Sequence, residues 1–216
     1  MTDSTVGFPE LYEAILGGDA GKSVELTRTA LEADVDPQEL VQGGMIPAME
    51  EAGRRFENNE FFVPELLIAA RAMKGSLELV RPLLAASGVE PVGRVVVGTV
   101  KGDLHDIGKG LVASMLEGVG FEVVDLGVDV PADKFVAEAV ENKADVIVVS
   151  ALLTTTMTGM KEVVDALRTS PISDRCRIMV GGAPVTQAFA DSIGADGYSS
   201  NANAAVALAR SLVPSA

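Results

Sequence analysis

The sequence has few basic residues, one cysteine and no long hydrophobic run. Its 17 lysines and arginines stand against 31 aspartates and glutamates, which gives a formal net charge of −14. This excess of negative charge repels a phosphate backbone and an anionic lipid surface, so we expect neither nucleic acid nor a membrane as a partner. The apolar stretches are short, like Val146–Val149, and none approaches the roughly 18 residues that a membrane span needs.

The first residues and the cysteine content indicate a compartment. The segment MTDSTVGFPELYEAI lacks the basic and apolar regions of a signal peptide. Cys176 is the only cysteine and cannot form an internal disulfide, which agrees with a reducing compartment. Because 48% of the 216 residues are hydrophobic, packed cores are expected. The sequence therefore predicts a globular, cytoplasmic protein.

The first 85 or so residues show helical periodicity and almost no strand pattern. Asp36, Pro37 and Glu39 are typical of a helix start: an N-cap, a proline at the first helical position and a glutamate three residues after the cap. Apolar residues recur from there at helical spacing, namely Leu40, Ile46, Met49, Ala52 and Phe56. A further helix is predicted to open at Val63, and weaker helical segments cover residues 10–16 and 20–33. We therefore predict a bundle of about four helices.

A segment with glycine and proline, residues 87–93, ends this pattern, and strands then alternate with helices. The predicted strands are 94–100, 122–125, 145–150, 177–180 and 196–199. The predicted helices are 109–119, 132–142, 158–169, 184–192 and 202–212. Continuous apolar strands that alternate with helices are typical of a parallel sheet covered on both faces. We therefore predict a helical bundle domain at 1–88 and, at 89–216, an α/β domain with a doubly wound, flavodoxin- or Rossmann-like sheet of five parallel strands.

The loop after the first predicted strand holds the only histidine of the protein, His105. In such sheets ligands bind outside the carboxyl ends of the strands. A neutral imidazole is a good ligand for a transition metal, and a carboxylate on its other nitrogen, which Asp103 can supply, fixes the tautomer. One histidine cannot build a zinc site, which takes three or four protein ligands. By itself the histidine is more often a surface-loop residue, but it suits a metal that its own macrocycle holds.

Three short motifs follow successive predicted strands: Asp103-x-His105-x-x-Gly108, Ser150-x-Leu152 and Gly181-Gly182. In this order they resemble the three signatures of the cobalamin-binding domain shared by methionine synthase, the methyltransferase corrinoid proteins and the B12-dependent mutases. The resemblance implies a bound cobalamin or related corrinoid, with His105 as the lower ligand of cobalt in place of dimethylbenzimidazole. The displaced nucleotide tail would then lie in a slot beside the sheet. Glycines suit such a slot because backbone without a side chain can approach the ligand closely.

The resemblance also implies roles for single residues. Asp103 would hydrogen-bond His105, and Thr156 lies near the position of a hydroxyl that relays to the aspartate, which makes these three the candidate catalytic residues. The residues of the motif loop implied to contact the corrin are Gly102, Asp103, Leu104, His105, Asp106, Ile107 and Gly108. Those implied to border the nucleotide tail are Ser150, Leu152, Thr154, Gly181, Gly182, Ala183, Tyr198 and Ala202. The alternative is that Ser150 and the threonines are ordinary loop and helix-capping residues.

The helical half resembles the cap domain of methionine synthase and of the methyltransferase corrinoid proteins, through residues 44–49 and 62–74 with Gly53 and Phe56. In that family the cap covers the upper, methyl-bearing face of the corrin. The resemblance places Met45, Met49, Phe56 and Val63 among the cofactor contacts. The alternative is that these side chains only form the core of the bundle. The resemblance extends over roughly residues 10–212.

The function implied is that of a methyl carrier that is not catalytic alone. Cob(I)alamin would take a methyl group from a substrate-specific methyltransferase, and methylcobalamin would give it to an acceptor methyltransferase that uses tetrahydrofolate or coenzyme M. A reductive activator would return protein whose cobalt has been oxidised to cobalt(II) to the cobalt(I) form. Aryl methyl ethers, methylamines, methanol and betaines all remain open as donors, because the partner would choose the donor.

Three other functions fit parts of the pattern. A B12-dependent light or ligand sensor shares the cap and the cobalamin domain, but it also carries a DNA-binding helix-turn-helix, for which this chain has neither the length nor the basic charge. The small subunit of a carbon-skeleton mutase has the histidine motif without the helical cap. Outside B12 chemistry, a flavodoxin-like module for another ligand remains the alternative.

Overall fold

The structure, a computed structural model, describes residues 7–213. Its tertiary contacts divide the chain into two compact units. The first comprises the residues up to Glu90 together with Glu117–Gly120, and the second comprises Pro91–Leu116 and the residues from Phe121 onward. Within the described range, none of the helices combines the length and the apolar character that crossing a membrane requires.

The first unit is helical. Its elements are α1 (Pro9–Leu16), α2 (Ala20–Glu32), α3 (Pro37–Leu40), a π-helical turn (Val41–Met45), α4 (Ile46–Glu57) and α5 (Val63–Ala86). Asp36 caps α3 as predicted, because its carboxylate accepts a hydrogen bond from the Gln38 N–H at 2.8 Å. The largest buried side chains of this unit include those of Ile15, Leu66 and Met73, which come from α1 and α5.

The helix predicted to run from Asp36 is interrupted by the π-helical turn, in which the Ile46 N–H donates to the Val41 carbonyl. Pro47 has no N–H, so it cannot donate to the Gly43 carbonyl as a regular helix would require. That carbonyl instead accepts a hydrogen bond from the Gly7 N–H at 3.2 Å. As a result Met45 is fully buried, whereas Ile46, predicted on the apolar stripe, is only half-buried.

The second unit contains a five-stranded, all-parallel sheet in the order β2-β1-β3-β4-β5. The strands are β1 (Arg94–Thr99), β2 (Glu122–Asp125), β3 (Val146–Ser150), β4 (Arg177–Gly181) and β5 (Gly197–Ser199). The helices are α6 (Ile107–Gly118), α7 (Ala132–Glu141), α8 (Thr158–Arg168), α9 (Gln187–Ile193) and α10 (Ala202–Leu212). The predicted fold class, a helical part followed by a doubly wound parallel sheet, is confirmed.

The central strands β1 and β3 are buried except at their end residues Arg94 and Ser150, which explains their continuous valine-rich sequences. One large core side chain on the sheet is that of Phe135 from α7, and it packs where β1 has Gly98. A Cβ on Gly98 would lie 2.7 Å from the Phe135 ring, so a larger residue there would displace the ring.

The strand order reverses between β1 and β3, and ligands of such sheets bind at this switch point. The strand register pairs Thr99 with Ser150, and Ser150 with Gly181, at the carboxyl ends of β1, β3 and β4. The three sequence motifs, which are far apart along the chain, therefore come together at one edge of the sheet.

Candidate functional site

His105 lies in the loop between β1 and α6, at the carboxyl end of β1. Its Nδ1 atom is 2.7 Å from Asp103 Oδ1, and its backbone N–H donates to the same oxygen at 3.1 Å. The Asp103 side chain is fully buried, whereas 51% of the His105 side chain is exposed. The carboxylate thus anchors the ring from inside and leaves the other side of the imidazole accessible.

Asp103 joins the loop after β1 to the loop after β3. Its second oxygen, Oδ2, accepts hydrogen bonds from the Leu152 N–H at 2.8 Å, the Leu153 N–H at 3.3 Å and the Thr156 hydroxyl at 2.7 Å. Burial raises the pKa of the Asp103 carboxyl, but the hydrogen bonds from Leu152, Thr156 and His105 outweigh burial and hold the pKa well below its usual range. The carboxylate therefore stays ionised near neutral pH and can only accept.

This ionisation state sets the tautomer of His105. Because an ionised carboxylate is an acceptor only, Nδ1 must carry the proton in the bond to Asp103. In the neutral ring, Nε2 then keeps a free lone pair, which is what a metal ion requires. Asp103, His105 and Thr156, the three predicted catalytic residues, therefore form one connected group, although their catalytic roles stay a prediction.

Several large apolar residues that lie close to this group in the chain are exposed. Leu104 and Ile107, on either side of His105 in the chain, are 73% and 76% exposed. Leu152 and Leu153, whose N–H groups bind Asp103, also present exposed side chains. Exposed large apolar residues are expected where a ligand or partner covers them. Here they belong to the two segments that Asp103 joins, which suits a broad and mostly apolar ligand.

The donor set fits a metal that brings most of its own ligands. Among residues 7–213 no group of three or more histidine, cysteine, aspartate or glutamate side chains could hold a metal ion. One half-exposed imidazole is nevertheless presented with its tautomer fixed. A Cβ added to Gly108 would meet nothing within 4 Å, so space is open beside the loop. The residues present therefore fit cobalt held in a corrin macrocycle.

The predicted boundary of the loop differs by two residues. Ile107 and Gly108, assigned to the loop from the sequence, are the first residues of α6. The helix begins there because the Gly110 N–H donates to the Asp106 carbonyl at 2.7 Å. The loop that carries His105 is thus short, and both of its ends are anchored in secondary structure.

The residues predicted to border the nucleotide tail lie at the ends of β3, β4 and β5. Leu152, Thr154, Gly182 and Ala183 are exposed, and Ser150, Gly181 and Tyr198 are half-buried. Tyr198 packs against the core of the unit, and Ala202 is buried at the start of α10. The roles of these residues toward a nucleotide tail stay a prediction.

Gly182 has a structural reason for lacking a side chain. Its φ is +134°, and a Cβ would lie 1.9 Å from the Ala151 carbonyl oxygen. The sequence predicted that a ligand approaches this glycine closely. In the structure, the backbone of Ala151 makes such a close approach.

The four residues predicted to face the corrin from the helical unit differ in burial. Met45 and Met49 are buried and form part of the core of the first unit. Phe56 is half-buried and Val63 is exposed, as is the neighbouring Phe62. The two methionines thus contribute to the core, and the cofactor contacts of all four residues stay a prediction.

Two residues that the sequence reasoning missed hold the loop of His105. Thr99, fully buried at the end of β1, donates its hydroxyl proton to the His105 carbonyl at 2.8 Å. Asp129, in the loop after β2, accepts the Gly102 N–H at 2.7 Å and donates its own N–H to the Asp103 carbonyl at 3.0 Å. The only sequence signal for Thr99 was a hydroxyl at the end of an apolar strand, and Asp129 lies outside all three motifs.

Comparisons with known proteins cover nearly the whole chain. Two family models, each described as a B12 binding domain, match residues 93–207 and 8–81. A dimethylamine corrinoid protein of Methanosarcina acetivorans is 42% identical over 204 residues, which are 94% of this chain and 95% of the relative. A trimethylamine corrinoid protein of Methanosarcina barkeri is 45% identical over 197 residues, 90% and 91% of the two chains. The crystal structure of the methanol:cobalamin methyltransferase complex MtaBC from Methanosarcina barkeri matches with a TM-score of 0.83 at 32% identity, covering 94% of this chain and 78% of that one.

Proposed function

The chain belongs to the family of B12-binding corrinoid proteins, and on this premise we propose that it carries a methyl group on a bound corrinoid between two methyltransferases. When bound, the corrinoid supplies a cobalt ion that accepts and donates a methyl group. The protein contributes binding, orientation and electrostatics. The observation that carries the proposal is the half-exposed imidazole of His105 tied through Nδ1 to a buried, ionised carboxylate.

His105 is the proposed lower ligand, through Nε2. The bond from Nδ1 to Asp103 orients the ring and fixes its tautomer. Asp103 already accepts two backbone N–H groups and the Thr156 hydroxyl at Oδ2, which makes the carboxylate a weak base. A proton taken up by the pair would therefore reside on Nε2 of His105 and not on Asp103. Protonation at Nε2 removes the lone pair, so the pair can couple ligation of cobalt to proton uptake.

The remaining contacts follow from the resemblance and the placement of the loops. We assign the binding of the nucleotide tail to the ends of β3, β4 and β5. We also assign residues 1–88 to a cap domain and residues 89–216 to a corrinoid-binding domain. The exposed residues at these strand ends support the first assignment. The separate family-model matches in the two halves support the second. Met45, Met49, Phe56 and Val63 are the proposed shield of the methyl-bearing face.

The proposed partners are a substrate-specific methyltransferase, an acceptor methyltransferase that uses tetrahydrofolate or coenzyme M, and a reductive activator. The match to a protein solved in a methyltransferase complex supports the first partner. The net charge of −14 argues against nucleic acid and anionic membranes. We place the protein in the cytoplasm, where a reducing environment would preserve cobalt(I).

The relatives favour the carrier over the alternatives. The match of a B12 binding domain to residues 8–81 is not expected for a mutase subunit without a helical cap. Relatives named for dimethylamine and trimethylamine are 42% and 45% identical, so overall similarity does not separate the donors. This is what we expect if the donor is bound and selected by a partner.

Reconstitution of the full-length chain tests the proposal. After incubation with cobalamin and gel filtration, we expect one cobalt per chain. After reduction and addition of radiolabelled iodomethane, label should co-elute with the protein and be released by light, because a cobalt–carbon bond is light-sensitive. Retained cobalt without light-labile label would describe a corrinoid binder that carries no methyl group. Failure to retain cobalt would contradict the proposal as a whole.

A further inference from the structure

Lys109 is a buried lysine in the first turns of α6, four residues after His105 and outside the three motifs. Only 2% of its side chain is exposed. Its ammonium group is 2.6 Å from Asp106 Oδ1 and 2.5 Å from both carboxylate oxygens of Asp125. A buried ammonium is unfavourable unless it is paired, and its three N–H donors find three carboxylate oxygens here, two on Asp125 and one on Asp106.

The contact with Asp106 also connects the buried lysine to the loop of His105. Asp106 directly follows His105, and 63% of its side chain is exposed. What the contact does is tie the end of the His105 loop to Lys109, and through Lys109 to Asp125 at the end of β2.

The region after β2 also holds the start of the same loop. Asp125 accepts the Gly127 N–H at 2.9 Å, which shapes the turn that leads to Asp129. Asp129 binds the backbone of Gly102 and Asp103. The loop is thus anchored to the β2 side of the sheet at both of its ends.

We propose that Lys109 is a positioning residue for His105, which acts through Asp106. By holding Asp106 against Asp125, it fixes the backbone that carries the imidazole, so that Nε2 is presented in one orientation. This inference rests on the proposed function, because it takes His105 as the cobalt ligand. Lys109 itself touches neither the imidazole nor Asp103 among its polar contacts.

A double-mutant cycle on the full-length, cobalamin-loaded protein tests this inference. The variants are Lys109→Met, Asp106→Ala and the two combined. The matched control is Lys161→Met, which removes the lysine of an exposed ion pair with Asp165 at 2.6 Å in α8. Electron paramagnetic resonance of the cobalt(II) form, with ¹⁵N-labelled histidine in the protein, gives the ratio of molecules with and without the histidine nitrogen on cobalt.

Each single variant should lower this ratio about tenfold, the low end for residues behind a metal ligand. The double variant should show no further fall, because both substitutions break the same connection, and Lys161→Met should match the wild type. Additive effects would show that Lys109 does not act through Asp106. A Lys109→Met protein that is less stable but has an unchanged ratio would show a purely structural lysine. Either result overturns the inference.

Amide hydrogen exchange on the cofactor-free chain gives a second readout. The N–H of His105 bonds to Asp103 and that of Gly102 bonds to Asp129. Asp106→Ala leaves the buried Lys109–Asp125 pair in place, so this variant should fold, and it should speed exchange at His105 about tenfold. Exchange at strand amides such as that of Val148 should be unaffected. Unchanged exchange at His105 would contradict a role of the Asp106–Lys109 contact in holding the loop. If the wild type shows no histidine nitrogen on cobalt, the assignment of His105 as the ligand fails instead, and the exchange result still decides whether the contact between Asp106 and Lys109 orders the loop.

Discussion

Replacing Asp103 by asparagine changes one atom and should disable the histidine as a ligand. The carboxylate accepts two hydrogen bonds from His105 at Oδ1 and three, from Leu152, Leu153 and Thr156, at Oδ2. An asparagine amide must put its NH2 group at one of these two positions. The Oδ2 side has two fixed backbone donors, so we expect the NH2 group to face His105.

The imidazole can adapt to this amide only by changing its tautomer. Nδ1 would then accept a hydrogen bond from the amide, and the ring proton would move to Nε2, where it blocks a metal. The His105 N–H would lose its acceptor, which costs about 1–3 kcal/mol, and the bonds at Oδ2 would weaken with the loss of charge. We expect a total loss of about 3 kcal/mol in the free energy of unfolding and a fall of about 10- to 100-fold in the fraction of His105 bound to cobalt.

Urea unfolding of the cofactor-free protein measures the first effect, and the spectrum of the cobalt(II) form measures the second. Asp174→Asn, at an exposed aspartate of the same unit, is the control for the loss of one negative charge. If Asp103→Asn unfolds within about 0.5 kcal/mol of the wild type, the range of neutral surface changes, and keeps the histidine on cobalt, then the assignment of tautomer and roles is wrong.

Three further predictions concern pH, backbone packing and the cysteine. The pKa of Asp103 is lowered in the folded state, so its contribution to stability should be complete above the unfolded pKa of about 4 and should disappear as the pH falls toward the folded pKa. The unfolding free energies of the wild type and of Asp103→Asn should therefore converge in acid. A gap that stays constant with pH would contradict this. Gly182→Ala should destabilise the cofactor-free protein by about 3 kcal/mol or prevent folding, because the new Cβ would lie 1.9 Å from the Ala151 oxygen at a φ of +134°. In thermal unfolding the control Gly108→Ala, whose new Cβ would lie in open space, should be nearly neutral. Burial raises the pKa of the Cys176 thiol to about 12, so it should resist a thiol reagent at neutral pH until the protein is unfolded in urea, and fast labelling of native protein would refute that burial.

The alternation of strands and helices could be predicted because the determinants are local. Valine-rich runs mark strands buried on both faces, and glycine and proline mark the turns between them. Boundaries were less accurate where side chains replace backbone partners. Asp145 and Asp196, predicted in strands, lie just before β3 and β5 and accept the N–H groups of Arg94 and Ile178 at 2.7 and 2.8 Å.

Other differences have equally specific causes. Helix α9 starts at Gln187, three residues after the predicted Pro184, because Thr186 is its N-cap and accepts the Phe189 N–H at 3.2 Å. The Gly43 carbonyl, which Pro47 leaves without its helical donor, is satisfied by the Gly7 N–H from far along the chain. Periodicity alone contains no signal for such a contact.

The residues of the site also divide into those that the sequence could predict and those that it could not. His105 and Asp103 could be found because they share one short motif, and Thr156 because the order of three motifs resembles a known family. Asp129 and Lys109 could not, since their contacts depend on β2 lying beside β1. The Asp129 carboxylate, for example, binds the Gly102 N–H at 2.7 Å across 27 residues of sequence. Partners of this kind can be predicted from the sequence only when the strand order is known.

The central claim is that His105 replaces the benzimidazole base beneath cobalt. Electron paramagnetic resonance of the full-length protein in its cobalt(II) form tests this directly, with unlabelled cobalamin and ¹⁵N-histidine in the protein. A ¹⁵N nucleus splits each cobalt line into a doublet, whereas the ¹⁴N of benzimidazole splits it into a triplet. We predict doublets that vanish in His105→Ala. Triplets in the labelled wild type, or lines with no nitrogen splitting, would contradict the assignment of His105.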